Sequence, residues 1–301
     1  MEHLVTIAIP VYKAKFLREA INSVLTQTYN NFELIIVNDH SPEDIDSVVS
    51  AFSDKRISYY KNEVNIGGKD PVANWNKCLS YAKGEYFALL CDDDLYEPTF
   101  IQEMLTLSNK YPSCNVFRSG VNVIDKNKKL ISHYPSSPEW EPTEDYIWHV
   151  SFGLRKQTVS EWMYKTKHIV SLGGYENIPM AWGADYYSVF KFSINGGIAS
   201  SYKRLVTFRR SGENISTVHN KNLYRKLYGT KVYVDKLINL VIDNDLNPET
   251  LLPRIEKIRS GEFAATISVT PIKDIIQIVF RKKEFGLSID TIIKGILRKI
   301  H

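Results

Sequence analysis

Three consecutive carboxylates, Asp92, Asp93 and Asp94, follow the apolar run Tyr86–Leu90. Carboxylates this close repel one another and titrate high unless a cation neutralises them. Hard divalent ions such as Mg2+ and Mn2+ take oxygen ligands and bridge phosphates. A strand that runs straight into such a cluster suits a metal site that offsets the charge on a leaving diphosphate. An isolated run of three Asp is more often a solvated turn or a helix cap. The wholly apolar strand ahead of it is what argues for chemistry.

Two other apolar runs end in residues of similar promise. Leu34–Val37 leads to Asn38-Asp39-His40-Ser41. Asp39 could accept hydrogen bonds from a nucleobase N–H or a ribose hydroxyl, or it could make an Asx turn before a helix starting at Pro42. Val5–Pro10 leads to Val11-Tyr12, where Tyr12 either stacks on a base or packs at the sheet edge. Ligands of open parallel sheets bind beyond the carboxyl ends of the strands. Recurrence at three such ends therefore weighs more than any one residue. No Gly-x-Gly-x-x-Gly opens a helix after the first run, Gly67-Gly68-Lys69 lacks P-loop spacing, and no serine nucleophile elbow is present.

The elements that must hold these residues alternate. Strands are expected at Val5–Pro10, Phe32–Val37, Ile57–Tyr60 and Tyr86–Leu90. Between them, Phe16, Leu17, Ala20, Ile21, Val24 and Leu25 mark one helix face, Pro42–Phe52 reads as a second helix, and Trp75, Cys78, Leu79 and Ala82 mark a third. Repeated strand–helix units imply a parallel sheet with right-handed crossovers. Further on, Pro98–Tyr111 reads as a helix, Val116–Ile124 and Leu130–His133 as strands, and residues 134–145 as a loop. A helix over Asp185–Ile194 and a strand over Leu205–Arg210 follow. Beyond Asn220 the signals are only helical.

Bulk properties set the frame. The 301 residues suffice for one large α/β domain and a smaller appendage, and 44% hydrophobic content suits a globular chain. No apolar run is long enough to span a bilayer, the N-terminus lacks a signal-peptide pattern, and three cysteines without metal spacing point to reduced thiols in the cytoplasm. Residues 221–301 hold 15 Lys/Arg against 9 Asp/Glu, so the net charge of +4 arises wholly in the last quarter. There Ile289, Ile292, Ile293, Ile296, Leu297 and Ile300 form a stripe with Lys294, Arg298 and Lys299 off it, and Ile275, Ile276, Val279 and Phe280 precede Arg281-Lys282-Lys283. Such segments either lie on an anionic membrane surface or pack on the protein or on a second copy of it. No nucleic-acid partner is expected.

VTIAIPVYK at Val5–Lys13, FLREAINSVLTQTYNNFELIIVNDHSPED at Phe16–Asp44, NIGG at Asn65–Gly68 and ANWNKCLSYAKGEYFALLCDDDLYEP at Ala73–Pro98 together resemble the family 2 glycosyltransferases, inverting enzymes of GT-A fold. The resemblance is nearly continuous over the first hundred residues, weakens towards Ser216 and does not extend into the tail. It implies a Rossmann-like sheet domain over residues 1–219, a helical extension over 220–301, and sugar transfer from a nucleotide-sugar donor, UDP favoured, with Mn2+ or Mg2+. Bacterial surface-polysaccharide assembly, with a saccharide or lipid-linked saccharide acceptor, is the usual setting.

Residue by residue, the resemblance puts Pro10, Tyr12, Asp39 and Asn65 at the nucleotide, Asp92 near the ribose and Asp93 on the metal, with Asp94 as a second ligand or support. The family's frequent Asp-x-Asp-Asp begins here at Cys91. Gly174, in Leu172–Glu176, and Trp182 fall on the acceptor side, and Asp185 falls on the catalytic base, which the start of a helix would keep ionised. Arg209 and Arg210 are candidates to balance diphosphate charge. Ser211 stands where the family often has a metal-binding His, with His219 as a more distant substitute. Against this stand two rivals: a nucleotidyltransferase, whose glycine-rich loop is missing at Val11–Lys15, and a binding protein of the same fold without chemistry.

Overall fold

The computed structural model describes residues 2–68, 70–212 and 223–300. The first half alternates as the pattern demands: β1 (Val5–Val11), α1 (Leu17–Leu25), β2 (Phe32–Asn38), α2 (Ile45–Ser50), β3 (Ile57–Lys61), α3 (Pro71–Ser80) and β4 (Tyr86–Leu89). The second half contains β5 (Leu95–Tyr96), α4 (Phe100–Lys110), β6 (Val116–Asp125), β7 (Leu130–His133), β8 (Trp140–Glu141), α5 (Thr143–Ser151), β9 (Trp162–Lys165), α6 (Thr166–Ser171), α7 (Ala184–Ser193) and β10 (Ile198–Arg210). Four helices close the chain: α8 (Leu223–Asp243), α9 (Pro248–Ser268), α10 (Ile272–Phe280) and α11 (Ile289–Ile300).

One sheet runs in the order β3-β2-β1-β4-β9-β6-β10-β5, with β7 on β6 and β8 on β10. β1 through β4 pair in parallel, as do β6 and β10, while β9 is antiparallel to both of its neighbours. Strand alternation divides the core. Val5, Ile7, Ile9, Leu34 and Ile36 meet α1, α2 and α4 on one face, and Ala8, Ile35, Val37, Phe87 and Leu89 meet α3 and α7 on the other. Local chemistry sets the boundaries. Asp44 accepts from Ser47 N at 3.0 Å to cap α2, and Asp70 accepts from Ala73 N at 3.2 Å to cap α3, with Pro71 in the first turn.

β5, β9 and α6 have no counterpart among the expected elements, and the structure also departs from the expected bounds. The loop expected over 134–145 contains β8, and α5 begins inside it at Thr143. β8 exists because β10 starts earlier than its apolar end suggests: Ile198 pairs with Glu141 as well as with Val116. The helix expected from Pro42 starts only at Ile45, after the Asp44 cap.

The helical tail divides. Val234, Leu237, Leu240 and Val241 of α8 and Leu251 and Ile255 of α9 join the core beneath the sheet. Ile275, Ile278 and Ile292 instead form a separate cluster with Leu227, Phe263, Ile267, Phe285 and Leu287. Gly295 lets α11 lie directly on α9, because a Cβ there would come within 2.6 Å of Ile267 Cβ.

Candidate active site

The acidic turn after β4 is tied to its surroundings by a different bond at each carboxylate. Asp92 Oδ2 accepts from Tyr12 N at 2.9 Å and Lys13 N at 2.8 Å, so the end of β1 is fastened to the end of β4. Burial still raises Asp92 to about 6, against the pull of those two amides. Asp93 Oδ2 accepts from Ser211 Oγ at 3.2 Å, and burial raises its pKa against the opposing charge of Lys13. Asp94 is wholly buried: Ser160 Oγ donates to its Oδ2 at 2.6 Å and Arg209 N to its Oδ1 at 3.0 Å. Burial, reinforced by Asp93, holds it well above the carboxylate range. Both Asp94 oxygens are thus engaged inside the protein.

Asp39 is buried at the end of β2, where its carboxylate gathers the loop that carries Asn65–Gly68. Oδ1 accepts from Asn62 Nδ2 at 2.8 Å and Ile66 N at 3.0 Å, and Oδ2 accepts from Gly67 N at 2.7 Å. A Cβ at Gly67 would lie 2.6 Å from that Oδ2, so only glycine allows the approach. Asn65 Oδ1 accepts from Gly68 N at 2.6 Å within the same loop. The backbone that follows is held by Asn38 instead, whose Oδ1 accepts from Ser41 N at 2.9 Å. Tyr12 follows the C-terminal end of β1 and is 44% exposed.

Arg209 points into the protein rather than to solvent. Its guanidinium is fully buried beneath the acidic turn, with Nε 2.9 Å from Asp93 O, Nη2 2.7 Å from Glu19 Oε2, and Phe16 4.1 Å below. Its charge helps hold the Asp93 pKa down. Arg210 is exposed and acts on the Tyr134 phenol. Glu213–Ser216 of the downstream motif and His219 lie outside the described residues.

On the acceptor side, Asp185 stands in the first turn of α7. Its pKa is raised to about 6 by burial, against the Tyr186 backbone and the nearby Gln157 side chain, which favour the charged form. The expected lowering by the helix start is thus overturned by desolvation, which outweighs it. Tyr134 senses both Asp94 and Asp185, so the acidic turn and the start of α7 lie within electrostatic reach of the same phenol. Trp182 is partly exposed with Lys226 Nζ 4.9 Å from its ring. Gly174 is buried at positive φ against Asn76, which is hydrogen-bonded to Tyr175 on both sides. It shapes the turn and touches no open space. Sequence reasoning missed Ser160, Glu19, Tyr134 and Gln157. All are ordinary residue types that reach the site only through long-range contacts.

The mostly parallel strand–helix sheet, with its acidic turn beyond a strand end, is of GT-A type. The sequence profile of "Glycosyl transferase family 2" matches residues 6–169, and the chain belongs to that family. An uncharacterised glycosyltransferase of Rickettsia bellii is 38% identical over 134 residues, 43% of this chain and 19% of its own. One of Rickettsia typhi is 39% identical over 125 residues, 41% of this chain and 38% of its own. The chain thus spans well under half of the length of these relatives. One of Haemophilus influenzae is 26% identical over 261 residues, 79% of this chain and 78% of its own. The crystal structure of Staphylococcus aureus TarS 1-349 in complex with UDP-GlcNAc shares the fold. It has a TM-score of 0.69 and 14% identity, covering 98% of this chain and 89% of that one.

Proposed function

We propose that this glycosyltransferase moves a sugar from a nucleotide-sugar donor, a UDP-sugar above others, to a saccharide or lipid-linked saccharide with inversion at the anomeric carbon. The observation that carries the reading is the fastening of Asp92 to the Tyr12 and Lys13 amides beside Asp93. It brings the nucleotide side of β1 and the acidic turn of β4 to one point. The UDP-GlcNAc held by the TarS neighbour supports a donor of that class.

Asp92 and Asp93 suit a divalent cation, although among the described residues no three His, Cys, Asp or Glu side chains form a metal cage. Burial raises both carboxylates, and a hard cation arriving with a diphosphate would offset that cost. Mg2+ and Mn2+ are commonly held by one or two carboxylates plus substrate phosphates. Asp93 would hold the ion, with Asp92 beside it. When bound, the ion would stabilise charge on the departing diphosphate.

The chain's own groups do the rest. Asp39, through the 62–67 loop, shapes the nucleotide pocket with Pro10, Tyr12 and Asn65. Asp185 takes the proton from the acceptor hydroxyl as its oxygen bonds to the anomeric carbon and the bond to the diphosphate breaks. Trp182 flanks the acceptor, and Gly174 sets the turn before it. We further infer that residues 1–219 form the catalytic unit and that 220–301 hold it at an anionic cytoplasmic membrane surface, in the service of bacterial surface polysaccharide synthesis. Among the described residues no helix is long and apolar enough to cross a membrane.

The test is release of nucleoside diphosphate from UDP-, GDP- and dTDP-sugars with Mn2+, run beside Asp93→Ala and Asp185→Asn. Release from one donor, lost in Asp93→Ala, supports the reading and names the donor. Absence of any metal-dependent nucleotide binding by calorimetry rejects it.

A further inference from the structure

Gln157 belongs to no motif, yet its side chain is buried and held in place near the start of α7. It is 7% exposed, and Tyr146 OH donates to its Oε1 at 2.8 Å. A donor on the oxygen fixes the sense of the amide and turns the NH2 group the other way.

Tyr146 is itself held in place. Its ring meets Phe190 of α7 edge-on at 5.8 Å and Trp162 at 5.9 Å, and the Arg118 guanidinium lies 5.4 Å from its centre. The chain on either side of Gln157 is equally fixed. Arg118 Nη2 donates to Lys156 O, and Thr158 N donates to Glu161 Oε2 at 2.9 Å. Glu161 is in turn paired with Arg118 Nε at 2.6 Å.

The Gln157 Nε2 so presented makes no well-formed hydrogen bond to any protein group among the described residues. An unmet buried donor costs about 1–3 kcal/mol. Its neighbour is the start of α7: the Gln157 side chain acts on Asp185 and its backbone on the Tyr186 phenol.

We propose that Gln157 is the positioning residue of the acceptor side, its amide N–H groups directed at Asp185 and at the oxygen of the hydroxyl that Asp185 deprotonates. This rests on the reading of Asp185 as the base. The hydroxyl oxygen would accept from the amide, its proton would face Asp185, and its remaining lone pair would face the anomeric carbon. A neutral amide suits the place, because a second carboxylate would push Asp185 higher still. The other titratable groups facing Asp185 are Tyr134, Glu161, Tyr164, Tyr186 and Tyr233. The phenols are held neutral by burial, and Glu161 is paired with Arg118.

The test follows the Asp185 carboxyl by 13C NMR in Asp-labelled protein, assigned by its loss in Asp185→Asn, so it needs neither donor nor acceptor. Gln157→Leu and the isosteric Gln157→Glu are each expected to raise its midpoint, the latter by about one pH unit, and Tyr146→Phe by less. Hydrolysis of UDP-GlcNAc, UDP-glucose and UDP-galactose with Mn2+ is expected to fall about tenfold or more in Gln157→Leu, with UDP affinity unchanged. A midpoint that stays put in both Gln157 variants overturns the proposal. If Gln157→Leu does not fold, Gln157→Glu alone decides. Full hydrolysis by Asp185→Asn would reject Asp185 as the base and leave the NMR result standing on its own.

Discussion

The backbone N–H of Arg209 donates to Asp94 Oδ1 at 3.0 Å, joining the last residues of β10 to the acidic turn 115 positions earlier. Ser160 Oγ holds the other oxygen, so both Asp94 oxygens are engaged inside the protein, and on the proposed reading Asp93 is the one that meets the cation. Asp94→Ala leaves two buried donors without an acceptor and is expected to cost about 2–4 kcal/mol of stability. Asp94→Asn keeps the shape and should cost little, since burial already favours the neutral acid. Asp93→Ala should abolish transfer while leaving the unfolding midpoint near that of the parent. Denaturant unfolding beside donor hydrolysis separates the three. Equal loss of activity without loss of stability in Asp94→Ala would contradict the assignment.

Asp185 supplies a pH dependence whose sign can be worked out. Its folded pKa is raised to about 6 from 3.8, so the folded state binds the proton more readily than the unfolded one. Stability contributed by this group is therefore lost as pH rises from about 4 to about 6. Asp185→Asn should stabilise the protein by roughly 1–3 kcal/mol at pH 7.5, and the gain should vanish near pH 4. The same substitution should lower the transfer rate by about 10²–10⁴-fold. In the parent, kcat/KM should fall as pH drops below about 6. Urea unfolding at the two pH values, with a pH–rate profile, checks all of this.

The strand ends were legible because each lies inside a contiguous apolar run whose length and alternation identify a strand. Asp39 and Asp92–Asp94 were found from their place after such runs. Asp185 was marked by the resemblance at Trp182–Asp185, but its electrostatics were not, since burial by α5, α7 and α8 outweighs the helix start. The burial of Arg209 is not legible for a related reason. An Arg beside a phosphate and an Arg clamped beneath Asp93 by Glu19 look alike in sequence. The tail stripe was read as one face, yet the structure divides it. Ile292 turns inward with Gly295, which lies against Ile267 of α9, and Ile289, Ile293 and Leu297 turn outward.

The turn ahead of Asp185 is braced from the tail. Met180 and Ala181 both have positive φ, and Gly183 at φ 80° sits where a Cβ would lie 2.8 Å from the Tyr233 ring of α8. Gly229 of the same helix approaches Pro179 O with equal closeness. Gly183→Ala therefore meets both an unfavourable φ and a ring, and should destabilise the protein by more than about 1 kcal/mol. Transfer should fall in this variant while UDP affinity is unchanged, because the acidic turn is not displaced. Calorimetry with UDP and Mn2+ against the transfer rate checks it, and a matching loss of UDP affinity would disprove the brace.

The outer faces of α10 and α11 make the membrane reading testable. Ile272, Ile276, Val279 and Phe280 recur at helical spacing on the side of α10 away from buried Ile275 and Ile278, and Phe280 is 85% exposed. Ile289, Ile293 and Leu297 do the same on α11. Lys273, Arg281, Lys282, Lys283, Lys294, Arg298 and Lys299 flank these stripes. Apolar insertion and attraction to anionic headgroups act together on such a surface, and the second weakens with salt. Sedimentation with vesicles of phosphatidylglycerol and phosphatidylcholine should therefore exceed that with phosphatidylcholine alone, and should decline between 50 and 500 mM salt. Phe280→Glu with Ile276→Glu should cut binding about tenfold without moving the unfolding midpoint, since neither side chain is buried. Equal binding to neutral vesicles, or binding unaffected by the double variant, would leave these faces to a second copy of the chain. Sedimentation equilibrium would then show a dimer that the same two substitutions dissolve.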